Sequence, residues 1–172
     1  MATRPFDPDF LDALETLVIP WQGSAWRQVF EGTDAFRENT RGGRWNPAGL
    51  AALYASLTPE GAAAEIDNLA ALQTIPIRRA RVTYEIGVSL VRVADLRDFS
   101  ALAAFDVGAD TMFGDDWTGP QRVASAVAWL DCRGLLVPSA RHSSSNLVIF
   151  PNNLAAGDDI REIARTSQTP SA

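Results

Sequence analysis

Two arginines and one carboxylate lie close together in a part of the chain that glycine and proline interrupt. Arg41 and Arg44 belong to the loop segment 41–49, and Glu65 follows in an alanine-rich stretch. The planar fork of an arginine can bind a phosphate in two places at once. With the aromatic residues between them, these groups suit an anionic ligand that has a ring and a sugar. Spacing alone leaves a second interpretation open, a structural ion pair between Arg44 and Glu65.

A short strand and a helix would position these groups. Leu53-Tyr54-Ala55 is typical of a strand, and Thr58 followed by Pro59 is typical of an N-cap and a first helical residue. Glu65 would then lie beside the buried stripe of this helix, near the core boundary. We expect that stripe to consist of Ala62, Ile66, Leu69 and Leu72.

An additional arginine lies upstream, in the alternating segment 25–30. Here Trp26, Gln28 and Phe30 would face one side of a strand, with Arg27 and Val29 on the other. Arg27 either points at the same pocket as Arg44 or lies in solvent at a sheet edge. The pattern does not separate these alternatives.

Helices are predicted at three other places. Residues 8–19 have helical spacing of apolar side chains and end before Pro20. Residues 121–131 form a second amphipathic helix, with Gly134 as its left-handed C-cap. One helical turn is expected after Asp159.

Strands are predicted mainly in the second half of the chain. Strict alternation over residues 82–90 indicates a half-buried, antiparallel strand, with a bulge or bend near Ser89. Shorter strands are expected at 135–137 and 146–150. The segments expected to lack long regular elements are 31–39, the aspartate- and glycine-rich 95–119, and a frayed tail at 166–172.

Composition favours one α+β domain without covalent or metal support. We expect a single domain over residues 1–172, with a core of about 25–151 and a flexible lead-in and tail. The formal net charge of -6 argues against direct nucleic-acid binding, although it allows a local basic pocket. A single cysteine excludes an internal disulfide, and no signal peptide or membrane span is visible. A cytoplasmic protein is the expectation.

Other catalytic chemistries have weak support. His142 is the only histidine, and no Gly-x-Ser-x-Gly elbow accompanies it, which disfavours a serine triad. Cys132 is expected to be a buried thiol at a helix end rather than a nucleophile. The pair Asp115-Asp116 has no surrounding metal ligands and is typical of a solvated turn. Neither a phosphate-binding lysine loop nor a dinucleotide fingerprint occurs, so arginines must carry any anion recognition.

Ser139 has a defined position directly after a buried strand and a proline. A hydroxyl there can be held rigidly at the strand end, or it can simply cap its own turn. Pattern alone favours the second interpretation.

Taken together, these segments resemble the RES domain family, which is named for its arginine, glutamate and serine. The resemblance covers residues 26–150, and its most specific part is Gly43-Arg44-Trp45-Asn46-Pro47 followed by the tyrosine, glutamate and Pro-Ser in order. The remaining matching segments are Trp26-Arg27, Leu53-Tyr54-Ala55, Ala64-Glu65 and Gly134-Leu135-Leu136-Val137-Pro138-Ser139.

The resemblance implies a toxin of a bacterial toxin–antitoxin pair, usually encoded with an Xre-like antitoxin and forming a hetero-oligomer with it. It implies a fold similar to ADP-ribosyltransferase toxins, with mainly antiparallel strands flanked by helices and a cleft that takes NAD⁺. Such proteins cleave the nicotinamide–ribose bond of NAD⁺ with phosphate or water as the acceptor, and no metal is expected. The residues carried over as catalytic are Arg44, Tyr54, Glu65 and Ser139, and Arg27 matches an additional substrate-binding arginine.

The chemistry of these residue types agrees with the implied roles. Loss of nicotinamide develops positive charge on the ribose, which the carboxylate of Glu65 can stabilise. Tyr54 can stack on nicotinamide, Arg44 and Arg27 can clamp the pyrophosphate or an incoming phosphate, and Ser139 can bind ribose or phosphate oxygens. Two other functions stay open: a mono-ADP-ribosyltransferase that modifies a protein, and a non-catalytic nucleotide- or partner-binding module. An antitoxin could cover the cleft by contacting exposed apolar surface near Trp21, Trp26 or Trp117.

Overall fold

Six strands form one mixed sheet that curves into a barrel. The computed structural model describes residues 5–73 and 79–169. Within them the strands are β1 Val18–Phe30, β2 Leu53–Ser56, β3 Arg81–Asp95, β4 Gly134–Pro138, β5 Ser145–Ile149 and β6 Asp159–Gln168.

The strand order is β1-β2-β5-β4-β3-β6, and β1 also pairs with β3. This extra pairing closes the ring that β1, β2, β5, β4 and β3 form. All pairs are antiparallel except β3 with β4. A parallel pair needs a long crossover connection, and three of the helices supply it.

Five α-helices accompany the sheet in the described part of the chain. They are α1 Pro8–Glu15, α2 Pro59–Ala71, α3 Phe99–Ala103, α4 Ala109–Phe113 and α5 Thr118–Trp129, followed by a short 3-10 turn at Pro151–Asn153. None of these helices is long and apolar enough to cross a membrane.

The core has two parts, one on each face of the sheet. Inside the barrel, apolar side chains from alternate positions of the strands pack together, among them Ala25, Ile86, Leu90, Leu136 and Leu147. On the other face, α1, α3, α4 and α5 cover a second cluster that includes Leu14, Leu102, Met112, Val127 and Phe150. Strand β3, whose predicted alternation is confirmed, contributes residues to both parts.

Several predicted elements are confirmed, with small shifts in their ends. The strand at 53–55, the loop at 31–39, the strands at 135–137 and 146–150, and the short helices between 95 and 119 all occur where predicted. The bend predicted near Ser89 is a register shift between β1 and β3. It places two β3 residues, 91–92, opposite the single residue Pro20, so β3 has one extra residue there.

The first helix is shorter than predicted, because it ends at Glu15 instead of residue 19. Val18 and Ile19 are β-branched and begin the long strand β1. Pro20 does not stop a helix. It lies inside β1 at the register shift between Ile19 and Trp21, where the ladder tolerates a residue without an N–H.

The prediction of a left-handed C-cap at Gly134 is wrong. The left-handed residue after α5 is Asp131, with φ 57°, and Gly134 is the first residue of β4. Aspartate tolerates this conformation better than most residues that have a side chain. The chain therefore turns three residues earlier than predicted.

The end of the chain is a strand and not a helical turn with a frayed tail. Residues 159–168 form β6, which pairs antiparallel with the first half of β3. Its sequence has no clear alternation, and the free edge of β3 decides the conformation instead. Of the predicted tail, residues 170–172 lie outside the described residues.

The predicted buried stripe of α2 is half correct. Ala62 and Ile66 are buried, whereas Leu69 and Leu72 are 46% and 73% exposed. The first two turns of α2 pack on β1 and β2, and the helix projects beyond them toward its end.

Candidate functional site

A buried asparagine organises the loop that carries Arg44. Asn46 has no exposed surface, and its side-chain amide donates to the carbonyls of Asn39 and Leu50 at 3.1 and 2.8 Å. From α5, Gln121 Nε2 donates to the carbonyl of Gly43 at 2.8 Å. The residues on both sides of Arg44 are therefore tied to the rest of the molecule.

Tyr54 joins this loop to the sheet. Its hydroxyl donates to Asn46 Oδ1 at 2.6 Å and accepts from the N–H of Trp45 at 3.0 Å. A Cβ atom on Gly43 would lie only 2.8 Å from the same hydroxyl, so this approach requires glycine. Burial raises the pKa of Tyr54 above its ordinary value, so the side chain is a neutral phenol at physiological pH.

The guanidinium of Arg44 is held by main-chain carbonyls and an aromatic ring. Nη1 donates to Thr111 and Gly114 at 3.1 and 3.0 Å, and the group lies 5.6 Å from the centre of the Trp117 ring. Burial, and next the charge of Arg141, lower the pKa of Arg44 from its usual value. No ion pair joins Arg44 to Glu65 among the described residues, so the interpretation as a structural ion pair is wrong.

Glu65 is positioned by the start of α2. The side chain of Thr58 caps this helix by accepting from the N–H of Gly61 at 3.1 Å, as predicted, and Pro59 is its first residue. Glu65 Oε1 accepts from Ser139 Oγ at 3.2 Å and from Asn146 Nδ2 at 3.0 Å. Both contacts fall on one oxygen, and within the described chain Oε2 has no hydrogen-bond donor.

Ser139 follows β4 and is 4% exposed. Its hydroxyl accepts from the N–H groups of Arg141 and His142 at 3.1 and 3.2 Å while it donates to Glu65. Both alternatives raised by the sequence are therefore realised together. Ser139 caps its own turn, and it is also held rigidly at the strand end against the carboxylate.

Two cavities meet at these side chains. One, of about 170 Å³, is lined by Arg44, Tyr54 and Glu65 together with Trp117 and Arg141. The other, of about 240 Å³, is more apolar, and its lining includes Trp26, Ile66 and Leu69. Tyr54, Glu65 and Asn146 line both cavities. The fold therefore brings three of the predicted site residues to one cleft and bonds the fourth, Ser139, to Glu65.

Arg27 lines the more apolar cavity and does not lie in solvent. Its guanidinium donates to the carbonyls of Tyr54 and Arg37 at 2.8 and 3.2 Å. The remaining Nε is buried and has no hydrogen-bond partner among residues 5–73 and 79–169. Burial lowers the pKa of Arg27 from its usual value, partly offset by Asp34. Arg27 and Arg44 thus line different cavities, and Tyr54 is one of the residues that line both.

Asn146 is the site residue that the sequence analysis missed. It is the second residue of strand β5, is 9% exposed and donates to Glu65. Its Oδ1 is buried and has no hydrogen-bond partner in the described chain. The signal in the sequence is an amide side chain directly before the apolar run 147–150, where a buried polar residue is unusual.

The rival sites have no supporting geometry. The ring Nδ1 of His142 accepts from the N–H of Ser144 at 3.1 Å, within its own turn. Cys132 is fully buried, and burial raises the pKa of its thiol to about 11. Asp116 is exposed, and its carboxylate accepts a hydrogen bond from the N–H of Thr118. Residues 5–73 and 79–169 contain no cluster of three or more histidine, cysteine or acidic side chains able to hold a metal ion.

Comparison with known proteins gives one family. The model of the RES domain family matches residues 21–170. Proteins named NAD(+) phosphorylase MbcT from Mycobacterium tuberculosis and Mycobacterium bovis are each 33% identical over 130 residues, which is 71% of this chain and 70% of theirs.

A solved structure has a similar fold over nearly the whole chain. It is described as a crystal structure of the M. tuberculosis MbcT-MbcA toxin-antitoxin complex. The matching chain has 25% sequence identity and a TM-score of 0.81, and the alignment covers 95% of this chain and 94% of that one.

Proposed function

This chain belongs to the RES domain family, and we propose that it is the toxin of a toxin–antitoxin pair and depletes NAD⁺ by cleaving the nicotinamide–ribose bond. The observation that carries the proposal is a single cleft in which Arg44, Tyr54 and Glu65 meet and Ser139 is bonded to Glu65. The name NAD(+) phosphorylase of relatives at 33% identity supports phosphate as the preferred acceptor.

Glu65 acts on the charge that develops when the bond breaks. The bonding electron pair leaves with the pyridinium nitrogen, so nicotinamide departs as a neutral molecule and needs no general acid. Positive charge then develops at the anomeric carbon and ring oxygen of the ribose. Because Oε2 of Glu65 has no donor among the described residues, its charge is available to this centre.

The acceptor completes the reaction from the other side of the ribose. An oxygen of inorganic phosphate forms the new bond to the anomeric carbon and yields ADP-ribose 1″-phosphate. A dianionic phosphate needs no base for this step. Water in its place yields ADP-ribose and releases one proton.

The other site residues would bind and orient the substrate. Arg44 binds phosphate oxygens through the part of its guanidinium that the carbonyls leave free. Tyr54 presents a neutral ring to the nicotinamide. Ser139 orients Glu65, because its single proton is already donated to that carboxylate. Arg27 lines the more apolar cavity, which would take the nicotinamide, and it donates to the main-chain carbonyl of Tyr54.

We also propose that an antitoxin, of the Xre type that often accompanies this family, covers the cleft in a complex. Trp117 at the rim is 38% exposed and lies against Arg44, so a bound protein chain would reach both. The solved toxin-antitoxin complex of similar fold supports a partner of this kind.

The direct test is incubation of the purified chain with NAD⁺, with and without inorganic phosphate, followed by mass spectrometry. We expect nicotinamide and ADP-ribose 1″-phosphate when phosphate is present. The Glu65→Gln variant is expected to lose about 10²- to 10³-fold in kcat, because a charge that acts on the transition state is removed.

Glu60→Gln is the matched control, because Glu60 lies on the same helix but is exposed in its first turn. It should keep wild-type turnover. Release of ADP-ribose alone would identify a glycohydrolase, and a labelled protein would identify a mono-ADP-ribosyltransferase. The proposal is wrong if the wild-type chain releases no nicotinamide under either condition.

A further inference from the structure

Arg141 is a charged residue at the site that the reaction outlined above does not use. It lies in the loop between β4 and β5 and lines the Arg44 cavity. It also lines a neighbouring cavity of about 380 Å³, whose walls include the exposed aromatic residues Phe99 and Phe113. The two cavities share Pro138, Ala140 and Arg141, so Arg141 borders both.

The main chain of Arg141 is fixed relative to the carboxylate. Ser139 Oγ accepts from the Arg141 N–H at 3.1 Å and donates to Glu65 at 3.2 Å. One hydroxyl therefore sets the distance between Glu65 and the start of the Arg141 side chain.

Two guanidinium groups and one carboxylate, that of Glu65, line this cavity. Arg44 and Arg141 line the same space, and no salt bridge between described residues includes either of them. The positive charge of Arg141 also contributes to the lowered pKa of Arg44, so the two guanidinium groups repel each other. A bound phosphate group between them would turn this repulsion into attraction.

We propose that Arg141 and Arg44 together bind the diphosphate of NAD⁺, so that Arg141 is a substrate-binding residue. This inference rests on the proposed NAD⁺ chemistry and names the residue pair that recognises the substrate. Arg27 is not the second member of the pair, because it lines the more apolar cavity and not the one that Arg44 and Arg141 share.

The diphosphate fits better than the inorganic phosphate acceptor. The cavity with Phe99 and Phe113 borders the same Arg141, and it offers the room that a nucleotide needs beyond its phosphates. An inorganic phosphate would fill only the space at the two arginines and would make no use of the neighbouring cavity. Aromatic side chains are also common partners of a base.

The test measures two affinities of the Arg141→Ala variant. We expect its Kd for ADP-ribose, from isothermal titration calorimetry, and its KM for NAD⁺ to rise about tenfold or more, as loss of a charged hydrogen-bonding partner requires. The KM for inorganic phosphate at saturating NAD⁺ should stay within about twofold. Arg141→Lys should recover part of the loss, because it keeps the charge but not the fork.

Arg161→Ala is the matched control, since Arg161 is exposed on β6 and pairs with Asp159 away from these cavities. It should bind ADP-ribose as the wild type does. Unchanged ADP-ribose affinity in Arg141→Ala, or a rise confined to the KM for phosphate, would overturn the inference. Calorimetry needs no turnover, so a wild-type chain that binds ADP-ribose through Arg141 but cleaves nothing would refute the proposed activity alone.

Discussion

The hydrogen-bond donors to the Glu65 carboxylate are neutral, although Arg44 and Arg141 line the same cavity. Ser139 and Asn146 donate to one oxygen, and neither arginine of the cleft forms an ion pair with it within the described chain. A carboxylate that already has a cationic partner stabilises a new positive charge less. The side chains around Glu65 therefore orient it while keeping its charge available for the ribose.

Tyr54→Phe tests whether the phenol holds the Arg44 loop. The change leaves the ring but removes the partner of the Trp45 N–H and of Asn46 Oδ1. An unsatisfied buried group costs about 1–3 kcal/mol. We expect the free energy of unfolding in urea to fall by that amount and the KM for NAD⁺ to rise as Arg44 loses its fixed position.

Tyr84→Phe is the control for this change. Tyr84 lies half-buried on β3, and no hydrogen bond of its hydroxyl occurs among the described residues. Its stability should stay within about 0.5 kcal/mol of the wild type. Equal urea midpoints for both variants would show that the Tyr54 hydroxyl does not hold the loop.

At the scale of elements, the position of Glu65 depends on how closely α2 approaches the sheet. A Cβ atom on Gly61 would lie 2.1 Å from Ser56 Oγ and 2.4 Å from Ser144 Oγ. These hydroxyls bond each other at 3.3 Å between β2 and the loop before β5. The small residues at the start of α2 therefore let the helix carry Glu65 to the strand ends.

Gly61→Ala is predicted to destabilise the protein, although alanine normally favours a helix over glycine by about 1 kcal/mol. Overpacking at this contact should instead cost about 1–3 kcal/mol. Displacement of α2 should also lower kcat for NAD⁺ cleavage, because Glu65 moves with the helix. Thermal unfolding and turnover measure the two effects.

Gly119→Ala on α5 is the matched control. Its Cβ would meet only ordinary contacts at 3.5 Å or more, so the same change should be neutral or stabilising there. If both variants gain stability, the close approach at Gly61 does not constrain the helix.

At the scale of the whole molecule, one buried ion pair connects three parts of the barrel. Arg133 Nε, just before β4, donates to Asp158 Oδ2 at 2.8 Å, and both side chains are nearly inaccessible. Asp158 also accepts from the N–H groups of Val91 on β3 and Ala155, each at 2.9 Å. Burial alone would raise the pKa of Asp158, but these donors and Arg133 outweigh it and hold the pKa below its ordinary value.

Asp158→Asn is therefore predicted to cost about 1–3 kcal/mol of unfolding free energy at pH 7, because it removes the carboxylate that faces Arg133 Nε and leaves that arginine only its pair with the exposed Asp131. The lowered pKa makes the contribution of Asp158 fully present above its unfolded pKa of about 3.9. It is lost as pH falls through the lower folded pKa. The difference between wild type and variant should thus shrink only below about pH 4, as urea unfolding between pH 7 and 3 would measure.

Asp159→Asn serves as the control one residue away. Its pair with Arg161 is exposed on both sides and should contribute less than about 1 kcal/mol at any pH. A large effect of Asp159→Asn, or a pH-independent effect of Asp158→Asn, would contradict the assignment.

The sequence by itself determined which residue types are present and the local elements that carry them. The alternation of β3, the cap at Thr58 and the glycine-bounded Arg44 loop depend on neighbouring residues, and the structure has them where predicted. The family resemblance was likewise visible in a few ordered segments. Local stereochemistry and hydrophobic periodicity act over short stretches, so a single sequence reveals them.

Only the tertiary structure decided which of these groups meet. Asn146 donates a hydrogen bond to Glu65. Arg27 and Arg44 line different cavities. Residues 159–168 form a strand because they pair with the edge of β3. Each outcome depends on strand pairing between residues far apart in the chain, and local propensity carries no information about such partners. For this reason Arg44, Tyr54 and Glu65 could be predicted as residues of the cleft, whereas Asn146, Arg141 and the separate cavities of Arg27 and Arg44 could not.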